Sequence, residues 1–220
     1  MCDVAECKNM EELFECWKKA HKEDCDFEKY DGRVNKLSFT RDGIICPKEF
    51  GKSGKKVLLI AKEGHEFNEP NAESNCSDGV NFWVADGYCE RIHGREVSSF
   101  LNCLAAYCNA VVDEDFDFNR NKHLNRSVLR NAAFMNINKR GGFEKCPDSV
   151  LIGYAERFEA FINKEIAIID PDYIIFCGSG LYDLLRDKIS LPTKSKVYEA
   201  CHPRAWGGYA TKLRNIEPKN

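Results

Sequence analysis

The sequence lacks the long apolar runs that membrane-spanning and exported proteins carry. It has no uninterrupted apolar stretch of about 18 residues, the length that a helix needs to cross a bilayer. Its first residues, MCDVAECKNMEELFECWKK, do not place a basic segment before an apolar one, so they do not indicate a signal peptide. We therefore expect a cytoplasmic protein that makes no contact with membranes.

The sequence has neither a net positive charge nor the cysteine spacing that is typical of metal sites. The net charge is -3, so the molecule as a whole does not attract nucleic acid, although lysine and arginine cluster at residues 120–130 and at Lys139 and Arg140. None of the 12 cysteines forms a C-x2-C pair. In a reducing cytosol such scattered cysteines are predicted to be buried thiols, and we expect neither a metal nor a cofactor.

Several motifs of nucleotide-binding proteins and hydrolases are also missing. The sequence contains no P-loop, no H-E-x-x-H and no G-x-S-x-G. A glycine turn, Gly178-Ser179-Gly180, follows an apolar run and could hold a phosphate at a helix N-terminus, but it lacks the full G-x-G-x-x-G pattern. Simple turn geometry is the preferred interpretation.

The sequence does contain an alternation of short apolar runs and amphipathic segments. Its 220 residues, of which 43% are hydrophobic and 30% charged, suit one globular domain. The pattern predicts strands at residues 57–60, 131–137, 173–177 and 196–201 and helices at residues 9–24, 96–108, 148–169 and 181–188. Because strands and helices alternate, we predict a three-layer α/β/α fold with a four-stranded, mainly parallel sheet.

The N-terminal part of the chain is predicted to be an addition to this domain. Residues 1–54 hold an amphipathic helix and an extended lead-in segment, both packed on the core, and residues 55–220 form the α/β/α domain. The apolar stripe of the helix consists of Leu13, Phe14, Trp17 and His21. We expect the two parts to make a single compact unit.

Polar residues follow three of the predicted strands. Glu63 lies in the loop expected after the first strand, Asn136 at the end of the second, and His202 directly after the fourth. Because the carboxyl ends of parallel strands share one edge of the sheet, these side chains are expected to converge. A carboxylate can deprotonate water, an amide can bind the edge of an imide, and a histidine can stabilise a developing anion. This set suits hydrolysis of a bond to a planar heterocycle.

A plainer interpretation stays open for each of these residues. Glu63 and His65 could be solvated loop residues, and Asn136 could cap backbone groups at the end of a strand. His202 could be a partly buried loop histidine held by Pro203.

Four segments of the sequence resemble motifs of the uracil-DNA glycosylase superfamily. LLIAKEGHE stands where the family has a strand followed by G-Q-D-P-Y-H or G-E-A-P-G, and FMNINKRGG is similar to the strand that ends in a base-reading asparagine. AERFEAFINKEIAIIDPDYIIFCGSG resembles the family's long helix, turn and strand, and CHPRAW resembles its H-P-S motif. The resemblance covers residues 55–208 and implies the α/β/α fold of that family.

The resemblance also implies a DNA glycosylase that hydrolyses the N-glycosidic bond of uracil or a related damaged base in DNA, without a cofactor. Glu63 would position the water, His202 would stabilise the departing base, and Asn136 would read the edge of the flipped base. Further implied contacts are those of Phe82, Trp83 and His65 with the base and of Lys139 and Arg204 with phosphate. The expected partner is DNA, single- or double-stranded, or a nucleobase, and we expect a monomer.

The sequence departs from the family motifs at several positions. Gly64 replaces the motif proline, Ala61 the motif glycine, and Arg204 the serine that follows His-Pro. Two other functions therefore stay open. One is a catalytically silent relative that binds a nucleobase or nucleic acid, and the other is a hydrolase of a free nucleoside, which would need no basic field.

Overall fold

A six-stranded sheet organises the computed structural model of this chain, which describes residues 3–24, 39–52, 54–65, 99–113, 115–116, 124–142, 146–205 and 216–219. The strands are β1 (Gly43–Ile44), β2 (Val57–His65), β3 (Ala132–Gly142), β4 (Tyr173–Cys177), β5 (Lys196–Ala200) and β6 (Glu217–Pro218). They lie in the order β1-β3-β2-β4-β5-β6, in which the four central strands are parallel and the two-residue edge strands antiparallel. The predicted α/β class and the mainly parallel sheet are therefore confirmed. The predicted number of four strands is wrong, because two short antiparallel strands pair with the edges of the parallel core.

Five α-helices connect or precede these strands in the described part of the chain. They are α1 (Met10–Glu23), α2 (Ser99–Val112), α3 (Asp148–Arg157), α4 (Glu159–Ile169) and α5 (Leu181–Leu185). Short 3-10 helices lie at Val4–Glu6 and Arg126–Asn131. None of the described helices combines the length and the hydropathy of a membrane span.

The helices cover both faces of the sheet, because successive side chains of a strand point to opposite sides. In β2, Leu58 and Ile60 pack into a core shared with α1, α3, α4 and α5. Leu59 and Ala61 point the other way and pack into a second core with α2. This continuous burial explains why β2 reads as an uninterrupted apolar run.

The N-terminal helix α1 belongs to the first of these cores. Its predicted apolar stripe, Leu13, Phe14, Trp17 and His21, is buried. Trp17 is fully buried among aromatic rings, and its ring stacks on that of Phe161 with centroids 5.3 Å apart. His21 Nε2 lies 2.6 Å from the hydroxyl of Tyr154, so the histidine has a polar partner inside the core.

The long helix predicted at residues 148–169 is divided in two. Phe158, with φ -114° and ψ 23°, ends α3 and begins α4. Its amide still donates to Tyr154 O at 3.0 Å, and Ile162 N donates to Phe158 O at 3.1 Å. The bend therefore breaks few hydrogen bonds, and the apolar periodicity continues through it, which is why the sequence pattern does not reveal it.

The strands β2 and β3 extend further than the apolar runs indicate. The polar residues after Ile60 were expected in a loop, but Glu63 lies inside β2 and pairs in register with Asn138 of β3. The register then shifts, because His65 pairs with Gly142 and three residues of β3 lie between the two pairs. The prediction of a loop at residues 61–65 is therefore wrong. Both strands continue because their backbones pair with each other, not because their side chains are buried.

The cysteines of the described residues are mostly buried thiols, as predicted. Seven are reduced, and five of these are buried. Cys16 is the exception, because it is disulfide-bonded.

Candidate functional site

The carboxyl ends of the four parallel strands form the edge at which the functional residues were expected. Strand register places Ala61 of β2 opposite Asn136 of β3, and Cys177 of β4 opposite Ala200 of β5. Glu63 and His202 each lie two residues beyond these positions. The sheet therefore brings both residues to one edge, separated by β4 and by about 10 Å across the sheet at the usual strand spacing.

Glu63 is held beside its neighbour in β3. Asn138 Nδ2 donates to Glu63 Oε2 at 3.2 Å. Asn138 is fully buried, and its Oδ1 accepts from the backbone amide of Arg140 at 3.0 Å. The amide side chain thus joins the Glu63 carboxylate to the bulge of β3.

Asn136, expected to read the edge of a base, lies beside Asp42 instead. Its backbone amide and its Nδ2 both donate to Asp42 Oδ2, at 2.6 and 3.0 Å. The residue is 6% exposed. Its Nδ2 therefore already has an acceptor, and Asp42, which precedes β1, ties the edge of the sheet to β3.

Lys139, expected to bind phosphate, is instead buried in the core. It is 0% exposed, and its Nζ contacts Asp42 Oδ1 and lies 2.8 Å from Glu165 Oε2 in α4. The ammonium also lies over the rings of Phe14 and Trp17, 5.5 and 5.3 Å from their centroids. A phosphate from solvent cannot reach it, so this expectation is corrected.

Asp42, Lys139 and Glu165 form a buried charged cluster that we call the ion triad. Burial raises the pKa of Glu165, Lys139 opposes that rise, the charge of Asp42 adds to it, and the result is a pKa of about 7. Burial likewise raises the pKa of Asp42. Burial on its own lowers the pKa of Lys139, but the two carboxylates outweigh it and raise that pKa above its ordinary value. Lys139 therefore stays charged, and Glu165 titrates near neutrality.

Neither Glu165 oxygen receives a directed hydrogen bond from the described residues. The 2.8 Å approach of Lys139 Nζ to Oε2 is thus an ionic contact with poor hydrogen-bond geometry. Burial of the carboxylate outweighs the opposing contact with Lys139 and therefore accounts for the raised pKa of Glu165.

Arg140 is also turned into the core, where it forms a separate ion pair. Its Nη2 lies 2.9 Å from Asp24 Oδ2, and its guanidinium lies over the rings of Tyr154 and Phe158, 5.4 Å from each centroid. The register shift in β3 lets two successive cations enter the interior. The local basic face suggested by Lys139 and Arg140 is therefore absent, because both side chains are buried.

The segment after β5 forms an exposed turn that carries His202 and Arg204. The Arg204 amide donates to His202 Nδ1 at 3.2 Å, and the Ala205 amide donates to His202 O at 2.8 Å. Because Nδ1 accepts, a neutral His202 carries its proton on Nε2. The Arg204 side chain is exposed, and its guanidinium lies over the ring of Phe100 at 5.7 Å. This edge thus carries a histidine and an exposed arginine.

The glycine turn after β4 has an internal anion as its partner. Glu199 Oε1 accepts from Gly180 N at 3.0 Å, and Oε2 accepts from Tyr182 N at 2.9 Å. The carboxylate occupies the amides that a phosphate would use. The structure therefore supports simple turn geometry and gives the turn no role as a phosphate cradle.

The structure thus brings some expected residues together and separates others. Glu63 and His202 share the carboxyl edge, whereas Asn136 is engaged by Asp42 and Lys139 is buried. Phe82 and Trp83 lie outside the described residues, and so does the side chain of His65. The sequence analysis missed Asn138 and the ion triad; the only available signal was the N-I-N spacing, which puts Asn138 on the same side of β3 as Asn136.

The fold and this edge define a mixed α/β protein with a mainly parallel sheet and a polar carboxyl edge. Comparisons with protein-family models, with curated proteins and with solved structures find no match to this chain.

Proposed function

We propose that this protein is a DNA glycosylase that hydrolyses the N-glycosidic bond of uracil or a related damaged base. The observation that carries the proposal is the position of Glu63 and His202 at one edge of the parallel sheet, each with a partner that orients it. An acid and an imidazole are the two groups that such a hydrolysis needs, since water must be activated and the leaving base must be stabilised.

The proposed chemistry uses one water and no cofactor. Glu63 accepts a proton from a water that attacks the anomeric carbon of the sugar while the bond to the base breaks. The base leaves with the bonding electrons, and the Nε2 proton of His202 stabilises its negative charge. Arg204, exposed on the same turn, contacts a phosphate of the strand. Asn136, with Nδ2 engaged by Asp42, receives the imide N–H of the base through its Oδ1.

An abasic-site assay tests the proposal. The protein, in excess over single- and double-stranded oligonucleotides that contain uracil or another deaminated base, is expected to leave alkali-labile sites. Glu63→Gln is expected to lower the single-turnover rate by about 10²- to 10⁴-fold, the usual contribution of a general base, with binding of the oligonucleotide retained. Glu23→Gln is the matched control, because Glu23 is an exposed residue at the end of α1. No cleavage of any deaminated base would contradict the proposal.

Two observations favour the catalytically silent alternative. Asn136 is tied to Asp42, and Lys139 is unavailable to phosphate. A silent binder would retain a nucleobase or an oligonucleotide with the same affinity in the wild type and in Glu63→Gln, and would produce no abasic sites. The third possibility, a free-nucleoside hydrolase, is favoured by the net charge of -3 and by the burial of Lys139 and Arg140. Release of base from nucleosides, with none from oligonucleotides, would select it.

A further inference from the structure

We propose that Asp42 is a positioning residue that fixes the direction of the Asn136 amide, so that the amide oxygen is the end that meets a bound base. The inference deepens the proposed function, on which it rests for the presence of a base. It also names the class of base, which is one that presents an N–H donor, as the imide of uracil does. The same arrangement serves a catalytically silent binder and an enzyme.

Two hydrogen bonds to one carboxylate oxygen determine the direction of the amide. The backbone N–H of Asn136 donates to Asp42 Oδ2 at 2.6 Å, so this oxygen acts as an acceptor. The side-chain atom of Asn136 that lies 3.0 Å from the same oxygen must then be Nδ2 rather than Oδ1. Asp42 Oδ1 contacts the Lys139 ammonium, so both carboxylate oxygens face N–H donors. A flipped Asn136 amide would place two acceptor oxygens against each other.

The segment that carries Asp42 is fixed on both sides. Arg41 is buried, and its guanidinium lies 2.6 Å from Glu15 in α1. Gly43 pairs with Phe134 of β3, and its φ of 92° is a conformation that favours glycine. Asp42 itself is buried, so its carboxylate cannot turn towards solvent without opening this segment. Because the carboxylate is held in place, it can in turn hold the amide.

The two ends of the Asn136 amide differ in their surroundings. The Nδ2 end is bonded to Asp42, and it also lies near the backbone of β2, because a Cβ at Gly64 would be 3.9 Å from Nδ2. Among the described residues, no group donates to Oδ1 of Asn136. Asn136 is 6% exposed and pairs with Ala61 at the carboxyl end of the parallel strands. The amide oxygen is therefore the end whose hydrogen-bonding capacity the described fold leaves unused.

A fixed amide oxygen distinguishes bases of the same shape by one ring nitrogen. Uracil carries an N–H donor at N3, whereas neutral cytosine has a lone pair there. The oxygen of Asn136 accepts a hydrogen bond from the first and faces an acceptor on the second. Because the amide cannot rotate to present its NH2 group, the mismatch leaves polar groups unpaired, which is the strongest basis on which a site rejects an isosteric ligand. Asp42 thus sets the preference without touching the base.

Asp42→Asn tests this role. The oxygen of the new amide is expected to turn towards the Lys139 ammonium, since hydrogen bonds to charged groups are the stronger ones, and its NH2 group then faces Asn136. This change releases the Asn136 amide to turn its oxygen inward and its own NH2 group towards the base. Isothermal titration calorimetry with the free bases should show that the wild type binds uracil about tenfold or more tightly than cytosine, and that folded Asp42→Asn loses most of this preference.

Asp187→Asn is the matched control, because it removes the same charge from a side chain that is 83% exposed. It should retain the preference of the wild type. Asn136→Ala should lose the preference, because it removes the acceptor itself. An unchanged preference in folded Asp42→Asn overturns the inference, and so does a wild type that binds both bases equally or binds neither.

NMR of the wild type decides the question if Asp42→Asn does not fold. One Nδ2 proton of Asn136 should exchange slowly with solvent, because it is bonded to a buried carboxylate. Uracil should shift the resonance of the Asn136 side-chain carbonyl carbon, and cytosine should shift it less. Nδ2 protons of Asn136 that exchange as fast as those of the exposed Asn125 would contradict the inference.

Turnover separates this inference from the proposed function. If the wild type prefers uracil in binding but leaves no abasic sites in DNA, the proposed function fails and the role of Asp42 stands. If the wild type cleaves uracil-containing DNA, and folded Asp42→Asn retains both the cleavage rate and the preference for uracil, the proposed function stands and the inference fails.

Discussion

Lys139 is a fully buried cation, so neighbouring acids must balance its charge. It lies between Asp42 and Glu165 with 0% exposure, against aromatic rings rather than water. Replacing Lys139 by Met should lower the free energy of unfolding by about 3–5 kcal/mol, because two buried carboxylates lose their counter-charge. Lys19→Met, at an exposed site on α1, should change it by no more than about 0.5 kcal/mol. Urea denaturation at pH 7.5 measures both changes in the free energy of unfolding. Equal changes in the two variants would contradict a stabilising role of Lys139 in the ion triad.

Glu165, a single residue, makes the free energy of unfolding depend on pH. Its pKa is about 7 in the folded protein, against an ordinary value of 4.5. Between these values the folded state binds a proton that the unfolded state has lost, so stability falls as pH rises, by up to about 1.4 kcal/mol per pH unit. Above pH 7 this contribution no longer changes. Glu165→Gln should remove this part of the slope between pH 5 and 7, whereas Glu159→Gln, exposed on the same helix, should retain it in parallel denaturation series.

Lys139 and Arg140 show which features the sequence alone does not reveal. In the sequence they look like a basic surface pair, because their neighbours in the chain do not indicate which acids they will contact. Asp42 is 97 positions away from Lys139, and Asp24 is 116 positions away from Arg140. A buried cation depends on partners supplied by the tertiary fold, so its neighbours in the chain cannot predict it.

At the scale of elements, the short helix α5 depends on a carboxylate from the next strand. Glu199 accepts hydrogen bonds from the amides of Gly180 and Tyr182. Glu199→Ala should therefore cost about 1–2 kcal/mol of stability and should speed hydrogen exchange at these two amides. Glu217→Ala, an exposed acid on neighbouring β6, is the control. If inorganic phosphate protected the same amides in the wild type, the turn would be an anion site after all.

The predicted elements differ in how well periodicity defines them. Residues 57–60, 173–177 and 196–200 are strands as expected, because strands buried on both faces leave continuous apolar runs. The polar ends of β2 and β3 leave no such trace: Glu63 and Asn138 are in strands because each pairs with the other. The sequence therefore predicted that Glu63 and His202 lie at the carboxyl edge of the sheet, whereas the contacts of each side chain depended on pairing that the sequence does not display.

At the scale of the whole molecule, α1 closes the core over the buried cations. Trp17 lies beside Lys139, and Asp24, directly after α1, neutralises Arg140. Removing residues 1–24 should therefore abolish cooperative unfolding and the near-ultraviolet circular dichroism of the folded chain. Removing only residues 1–8 should leave a cooperative transition, because α1 and its N-cap Asn9 remain. A cooperative transition in the shorter chain would show that the sheet folds without α1.

The ion triad also restricts how the chain can evolve. Replacing Lys139 alone leaves two buried carboxylates without a counter-charge, and replacing either acid removes one partner of the buried cation, whereas joint replacement by apolar residues of similar volume leaves no charge in the interior. We therefore expect replacements at these positions to be tolerated together rather than singly. In any relative of this chain we expect the trio to be inherited whole or exchanged whole, so that covariation at these positions would reveal common descent even where the surface has diverged.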